Sequence, residues 1–434
     1  MLSAHRACIA IGIAAATVAI VPARADPVLD YTLGVEIEHD SNVNLSRTDP
    51  VSQNILTPEM TFDLKEKGST FSVDAAGALD YHDYLEGAFA DQFTSLFSGV
   101  ADWTISPERL DWVFEDYLGR QPINAFVPDA PSNQQQTNVF TTGPTLRAHF
   151  SDALRGKLDM RYTNTYAEDT SNFNGDRLGA VAQLAYLLSA ESTIAGAVGA
   201  SDVRYDKDIS KPFEYDRYDA YLGYDDKTRQ FKFNLAAGYS WLDSSTLDND
   251  SGPLLRASAT WTPSATTTLS LGATREFTDS GEALIVDPTQ IDNLGIGSGN
   301  NNAVVSPQVY VLEELIATFG HTQGNVHFDI APFWRDYNYV ATNALNQRSF
   351  GYLLSLSWLM RPKLTLATGL GREHRDYTDV DRVDDDKTYW LGVGWQQSRH
   401  WSWQARAEHS SRDATNFDGG YSERAYILSL TYTR

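Results

Sequence analysis

Polar and apolar residues alternate with a period of two from Val28 to the C-terminus, in segments that recur about every 20 residues. In one segment the residues Phe231, Phe233, Leu235, Ala237, Tyr239 and Trp241 alternate with Lys232, Asn234, Ala236, Gly238 and Ser240. Successive side chains of a β-strand point to opposite faces, so this pattern predicts strands with one apolar and one polar face. Sustained helical periodicity is absent from this part of the sequence, which therefore predicts an all-β protein.

The connections between these segments alternate in length. Nine of them are short, such as residues 65–68 and 225–228, and ten are longer and polar. The longer ones cover residues 40–53, 85–91, 119–134, 167–176, 206–215, 243–252, 279–306, 339–348, 378–387 and 412–421. Transmembrane barrels sort their connections in this way, with short periplasmic turns and long outer loops. The sequence predicts a transmembrane antiparallel up-and-down β-barrel of about 18–20 strands, the lower number applying if 111–118 is not a strand.

The composition excludes several other classes of protein. A chain with 42% hydrophobic and 12% aromatic residues is too apolar to be disordered. Beyond the N-terminus the sequence has no run of about 20 apolar residues that would form a membrane-spanning helix. In a barrel, alternate residues face lipid and lumen, which explains the low mean hydropathy of −0.35. The net charge of −23 argues against nucleic acid as a partner.

Residues 1–25 have the layout of a secretory signal peptide. A start containing Arg6 is followed by about 15 small or apolar residues and then by Ala23-Arg24-Ala25. We expect cleavage after Ala25, a barrel over residues 26–434 and an outer-membrane location in contact with lipid and lipopolysaccharide. Cleavage removes Cys8, the single cysteine, and two arginines, which changes the net charge from −23 to −25.

The lumen is the predicted working surface. Charged residues within strands are expected to face the interior or to lie at the pore rim, because charge facing lipid is costly. The candidate pore-lining residues are Lys157, Asp159, Arg161, Asp329, Arg335, Arg372, Arg406 and Glu408. These side chains either brace the wall through mixed-sign pairs or line a solute path directly, and the sequence leaves both roles open. Loop 279–306 is the predicted constriction.

Catalytic and metal-binding motifs are weak. His39 beside Asp40 and His374 beside Glu373 are candidates for barrel lipase or protease chemistry, weighed against ordinary polar residues at strand ends. Acidic residues that are candidate calcium ligands occur in two groups: Asp379, Asp381, Asp384, Asp385 and Asp386, and then Asp248 and Asp250. Neither group matches a twelve-residue calcium loop, so a solvated acidic loop is favoured over a metal site. The sequence predicts no cofactor.

A resemblance to a known family rests on several short segments. The residues Gly34-Val35-Glu36, followed by Glu38-His39-Asp40-Ser41-Asn42-Val43, resemble the first strand and loop of the β-barrel porin 2 group. The likeness continues at 106–110, 119–122 and 158–162. The group includes outer-membrane barrels associated with exosortase and exopolysaccharide gene clusters. The last strand, with Tyr426, Leu428, Leu430 and Tyr432, also resembles the C-terminal signal that the barrel insertion machinery recognises.

This resemblance implies a non-enzymatic role in exopolysaccharide export. The barrel would pass polysaccharide from periplasm to cell surface, with a periplasmic polysaccharide export protein as a partner. The alternative is a general or substrate-selective porin for small solutes, and a barrel lipase or protease is the third interpretation. A TonB-type transporter is disfavoured because its plug domain needs more residues than the sequence offers before the first strand.

Overall fold

Twenty strands form most of the protein in a computed structural model that describes residues 27–246, 249–285, 304–415 and 419–434. The predicted signal peptide at 1–25, its cleavage after Ala25 and the candidate ligand Asp248 lie outside these residues. In the described parts of the chain, no helix is both long enough and apolar enough to cross a membrane.

The strands are 12 to 16 residues long. They are β1 Val28–Asp40, β2 Gln53–Lys67, β3 Phe71–Tyr84, β4 Gln92–Ser106, β5 Leu110–Pro122, β6 Gln134–His149, β7 Leu154–Ala167, β8 Gly175–Leu187, β9 Ser192–Tyr205, β10 Tyr215–Lys227, β11 Phe231–Asp243, β12 Asp250–Ser264, β13 Thr267–Thr278, β14 Tyr310–Gln323, β15 Val326–Tyr339, β16 Gln347–Arg361, β17 Leu364–Tyr377, β18 Arg382–Gln396, β19 Trp401–Ala414 and β20 Tyr421–Thr433. A four-residue helix, α1, covers Ser280–Ala283 after β13. Short 3-10 turns occur at Pro131–Asn133, Ser171–Phe173, Lys211–Phe213 and Asn343–Leu345.

Each strand pairs antiparallel with the next one along the chain, from β1–β2 to β19–β20. The sheet closes because Thr32–Asp40 of β1 pairs with Ala425–Thr433 of β20. The prediction of an antiparallel up-and-down barrel is confirmed at the upper strand number. The segment 111–118 lies within β5.

The two faces of the wall differ as the alternation predicts. On β18, Tyr389, Leu391, Val393 and Trp395 point outward and are 41–52% exposed, whereas Trp390 and Gly392 point inward. The outward band continues on β19 and β20 through Trp401, Trp403, Tyr426 and Leu428. Such a belt of aliphatic and aromatic side chains is buried only when lipid surrounds it. The chain is a transmembrane β-barrel.

One loop boundary differs clearly from the prediction. Residues 382–387 were expected in an outer loop, but β18 begins at Arg382. Asp384 and Asp386 on the inner face of β18 pair with arginines, which allows these acidic residues to continue a strand above the membrane.

The wall is wide. Twenty strands spaced about 4.8 Å apart and tilted by about 40° enclose a cylinder about 40 Å across between backbones. Side chains of the wall do not fill such an interior, so the loops that turn inward decide how open it is.

A charge placed on the outer face should destabilise the barrel, whereas one on the inner face should not. We expect Leu391→Arg to lower the free energy of unfolding in lipid vesicles by about 2–4 kcal/mol, because Leu391 faces the hydrocarbon. The control is Thr388→Arg on the inner face of the same strand. Urea titration measures both variants, and equal losses would contradict the assignment of faces.

Candidate functional site

The three charged residues predicted on β7 all point into the lumen. Asp159 is at the centre of this group: its carboxylate lies 2.8 Å from Lys157 Nζ and 3.5 Å from Arg161 Nη2. It also accepts a hydrogen bond of 2.7 Å from the Thr145 hydroxyl of β6. Arg161 in turn donates to the Pro144 carbonyl oxygen at 3.0 Å. These contacts link β6 to β7, so the group braces the wall while it lines the lumen.

Asp329 and Arg335 also face inward, on β15. Asp329 lies 2.9 Å from His327 Nε2 and accepts a hydrogen bond from Ser355 of β16. Arg335 is buried, with its Nε 2.6 Å from Glu314 Oε2 on β14. Both residues therefore join neighbouring strands across the inner face.

Arg406 and Glu408 form an inward-facing ion pair on β19. The Arg406 guanidinium also lies 4.8 Å from the ring centre of Trp390 on β18. The indole of Trp390 packs over Gly369 of β17 so closely that a Cβ atom at Gly369 would overlap it. A glycine at 369 is needed for this packing.

The prediction that Arg372 lines the lumen is wrong in its direction. Arg372 is paired in register with Lys387 and lies on the same outer face of β17 as Leu370, which is opposite Tyr389. Its guanidinium is 3.4 Å from Asp385 Oδ1 on the outer surface. Charge is tolerated there because this part of the strand lies toward the outer rim.

The candidate calcium ligands do not form one oxygen-lined loop. Asp384 binds Arg382 on the inner face, and Asp386 binds Arg412 on the same face. Asp385 points to the outer face, toward Arg372 and His374. Asp379 and Asp381 remain in the short β17–β18 connection. Asp250 is the first residue of β12. Among the described residues, no group of three histidine, cysteine or acidic side chains is arranged to hold a metal ion.

The two histidine–acid pairs considered for lipase or protease chemistry do not form. His39 lies on the outer face of β1 and contacts Asn54 Oδ1 at 2.9 Å, whereas Asp40 is buried on the inner face. His374 is on the outer face of β17, and Glu373 is on its inner face beside Arg375. Adjacent residues of a strand are directed to opposite sides of the wall.

The described ends of the β13–β14 loop, residues 279–285 and 304–309, turn inward from the wall at the outer mouth. Its short helix α1 reaches the inner faces of β8 and β10, where Glu282 forms ion pairs with Arg177 and Arg217. Asp279 pairs with Arg177 and accepts a hydrogen bond of 2.6 Å from the Tyr215 hydroxyl. The predicted constriction therefore folds inward at both of its described ends, while residues 286–303 lie outside the described parts.

Apolar contacts hold the same loop against the wall. Val309 is fully buried in a cluster with Val203, Tyr205, Tyr215, Leu242 and Phe277. Val305 packs in a second cluster with Ala167 of β7 and Phe173. The described ends of the loop thus cover the inner faces of β7–β11 near the outer mouth, and they narrow the mouth from that side.

The ionisation of Glu282 is fixed by its two partners. Burial alone would raise the pKa of its carboxyl, but the Arg177 and Arg217 guanidinium groups together hold that pKa well below its usual range. A carboxylate with a lowered folded-state pKa stabilises the folded loop above the ordinary glutamate pKa and loses this effect as the pH falls through the lowered value. The contact is therefore stable across the neutral range.

The β5–β6 loop, residues 123–133, narrows the mouth from the opposite side. The Phe126 carbonyl oxygen accepts a hydrogen bond of 2.6 Å from Arg382 of β18, and its ring lies 5.2 Å from that of Tyr377. Six strands separate β5 from β18 around the wall, so this contact crosses the barrel. Arg382 is completely buried with its partner Asp384.

Asn133 gives the β5–β6 loop its shape. Its amide nitrogen donates to the carbonyl oxygens of Asn124, Val127 and Pro128 at 2.9–3.2 Å, and its amide oxygen accepts from the Asn124 backbone. One side chain thereby satisfies four backbone groups of a loop that extends away from the wall.

The lumen is also asymmetric in charge. Inward-facing carboxylates are concentrated on adjacent strands, at Glu36 and Glu38 on β1, Glu59 on β2, Asp80 on β3 and Glu423 on β20. Glu59 and Asp80 are directly paired in register. Arg406, the nearest guanidinium on β19, is already paired with Glu408. This sector, which we call the acidic wall, attracts cations and opposes anions.

The residues that shape the mouth were missed from the sequence, apart from the loop 279–306 itself. Glu282, Arg177 and Arg217 are far apart in the chain, and each belongs to an ordinary polar stretch. Only the inward parity of Arg177 and Arg217 within their strands was a signal, since it placed two cations on the lumen side of the wall.

Comparisons with known proteins add only a general likeness. No family profile and no curated protein sequence matches the chain. Solved structures that align include a ferric enterobactin receptor (PfeA) of Pseudomonas aeruginosa, at 9% identity and a TM-score of 0.47, over 93% of this chain and 80% of that one. The FrpB iron transporter of Neisseria meningitidis aligns at 10% identity and a TM-score of 0.44, over 93% and 81% of the two chains. The siderophore receptor PirA of Pseudomonas aeruginosa aligns at 13% identity and a TM-score of 0.44, over 94% and 80%.

Removal of the Glu282 carboxylate should widen the mouth. Glu282→Gln removes a negative charge that balances the Arg177 and Arg217 guanidinium groups. We therefore expect the β13–β14 loop to leave the wall and single-channel conductance to rise by about twofold or more. In the unaltered protein the described ends of the loop should stay against the wall from about pH 7 to about pH 5, because the Glu282 pKa is lowered. The control is Glu191→Gln in a periplasmic turn, and equal conductance in the two variants would contradict the role of Glu282.

A disulfide provides the reverse test. A Cβ atom at Gly281 would lie 3.0 Å from the Thr165 side chain of β7, so Thr165→Cys combined with Gly281→Cys should form a bond on oxidation. Combined with Glu282→Gln, the oxidised protein should recover the lower conductance and lose it again on reduction. Failure to cross-link in the otherwise unaltered protein would contradict the inward position of the loop.

The acidic wall should make the pore cation-selective. In a potassium chloride gradient we expect a reversal potential whose sign indicates selectivity for potassium over chloride. The double variant Glu36→Gln, Glu38→Gln should have a reversal potential closer to zero, because two inward carboxylates are lost. Glu191→Gln again serves as the control. An anion-selective unaltered protein would contradict this electrostatic interpretation of the lumen.

Proposed function

We propose that this protein is an outer-membrane channel that passes exopolysaccharide from the periplasm to the cell surface. The single observation that carries the proposal is the character of the inner wall away from its ion pairs. There many of the side chains are hydroxyl-bearing or small, as on neighbouring strands at Gly238, Ser258, Thr260 and Ser270. Such a surface exchanges hydrogen bonds readily with a hydrated polyol and has few bulky groups to obstruct it.

The charges of the wall fit passage better than tight binding. Asp159, Asp329 and Arg335 form ion pairs with other residues of the wall. Their charges are therefore compensated by the protein and contribute little to holding a ligand. The acidic wall opposes a chain rich in carboxylates. The proposed polymer is therefore neutral or weakly charged, and the proposed partner on the short-turn side is a periplasmic polysaccharide export protein.

A substrate-selective porin is the second candidate, and the two inward loops favour it. The contacts of Glu282 and of Phe126 narrow a wide barrel at one level, which is how a pore restricts small solutes by size. For polymer export the same loops would form a narrow exit that encloses a single chain. Conductance alone does not separate the two functions, but the fate of the polymer does.

Deletion of the gene in its native bacterium is the deciding experiment. We expect surface polysaccharide to fall to a small fraction of its normal amount and polymer to accumulate in the periplasm, with recovery when the unaltered gene is restored. Unchanged polysaccharide, together with slower uptake of a small solute, would overturn export and support the porin. The matched control is complementation with Glu191→Gln, which should restore secretion fully.

A further inference from the structure

A band of basic residues lies on the outer surface of β17–β20. Arg372, Lys387, His409 and Arg424 occupy successive strands and face the same side as the exposed residues Tyr389 and Tyr426. Arg372 is the register partner of Lys387, and His409 is the partner of Arg424. We call these four residues the basic band.

The basic band lies at the level of the outer headgroups. Lys387 is eight residues along β18 from Trp395, which belongs to the aromatic girdle on the periplasmic side. Eight residues extend about 26 Å along a strand and about 20 Å along the membrane normal at a tilt of about 40°. In an apolar band about 25 Å tall the basic band thus lies within about 5 Å of the outer edge, where long cationic side chains reach the headgroups.

The cations of the band are only partly neutralised by the protein. Arg372 lies 3.4 Å from Asp385, and Lys387 lies 3.3 Å from Asp413, a carboxylate that is 73% exposed. His409 contacts the Glu423 carbonyl oxygen at 2.8 Å. The Arg424 side chain is exposed and has no hydrogen bond or ion pair within the described residues. Cations opposite one another on adjacent strands repel unless an anion lies between them.

An apolar groove runs directly beneath the basic band. It has a volume of about 510 Å³ and is lined on the lipid-facing side by Leu354, Leu356, Leu370, Leu391 and Ala407. Tyr389, His409, Arg424 and Tyr426 form its upper border, so it is continuous with the band. A ligand that fits both features has an anionic head and saturated chains below it.

We propose that the basic band and its groove bind the phosphorylated disaccharide and one acyl chain of lipid A in lipopolysaccharide. Lipid A meets both requirements, because its phosphates lie at the outer headgroup level and its acyl chains extend from the same sugar unit. Arg372 and Lys387 contact one phosphate of the disaccharide, and Arg424 on β20, three strands from Arg372, contacts the other. The inference depends on the placement of the barrel in the outer membrane and is independent of what the lumen transports.

Binding of purified lipid A to the refolded barrel in detergent tests the proposal, with native mass spectrometry as the readout. We expect the triple variant Arg372→Gln, Lys387→Gln, Arg424→Gln to bind lipid A at least about tenfold more weakly than the unaltered protein. The control removes the same charge elsewhere on the outer side, through Arg204→Gln, Lys207→Gln and Lys211→Gln, and should bind normally. The gel shift on heating of a folded barrel verifies that each variant has folded.

Two results would overturn the proposal. One is equal lipid A binding by the triple variant and the control. The other is equal binding of phosphatidylglycerol and lipid A to the unaltered protein, which would indicate a site for any anionic lipid. Binding that weakens further when the groove is filled by Ala407→Trp would support the inclusion of an acyl chain.

Discussion

The pairing of β1 with β20 is the interaction on which every other feature of this barrel depends. A sheet in hydrocarbon has no water to satisfy its edges, so its first and last strands must meet. Nine residues of β1, from Thr32 to Asp40, are matched with nine of β20. Once this register is closed, each residue of the wall is committed to lipid or to lumen, and a shift by one residue would exchange the two faces of an entire strand.

Closure also explains where the charges are. Inward positions accumulate both signs, as in the Asp159 group on β7, because pairs between strands compensate one another in an interior reached by water. Outward charges are tolerated toward the rim, where Arg372 lies. Charge therefore assigns a strand residue to the lumen only where the residue lies well within the apolar band, and not toward the rim.

Much of the fold could be predicted from sequence because alternation and loop lengths are local properties. The 20 strands, their antiparallel order and the inward direction of residues such as Lys157, Asp329 and Glu408 follow from parity and connection length. Arg372 was assigned to the lumen because it is a charged residue within a strand, whereas its register with Lys387 places it on the outer face. The acidic run at 384–386 suggested a loop, since the arginines that neutralise it, such as Arg382 and Arg412, are paired with it only in the folded sheet. The contact between Phe126 and Arg382 joins residues 256 positions apart and has no local signal at all.

The ion pairs of Glu282 with Arg177 and Arg217 affect the width of the pore but not the fold of the barrel wall. The wall would close in the same register with any loop between β13 and β14, since no backbone pairing of the sheet passes through α1. On this side of the barrel the width of the exit is therefore set by tertiary contacts of a segment that can change in length or sequence without refolding the strands. Related barrels that keep the wall and vary this segment would differ in what they let through while remaining equally stable in the membrane.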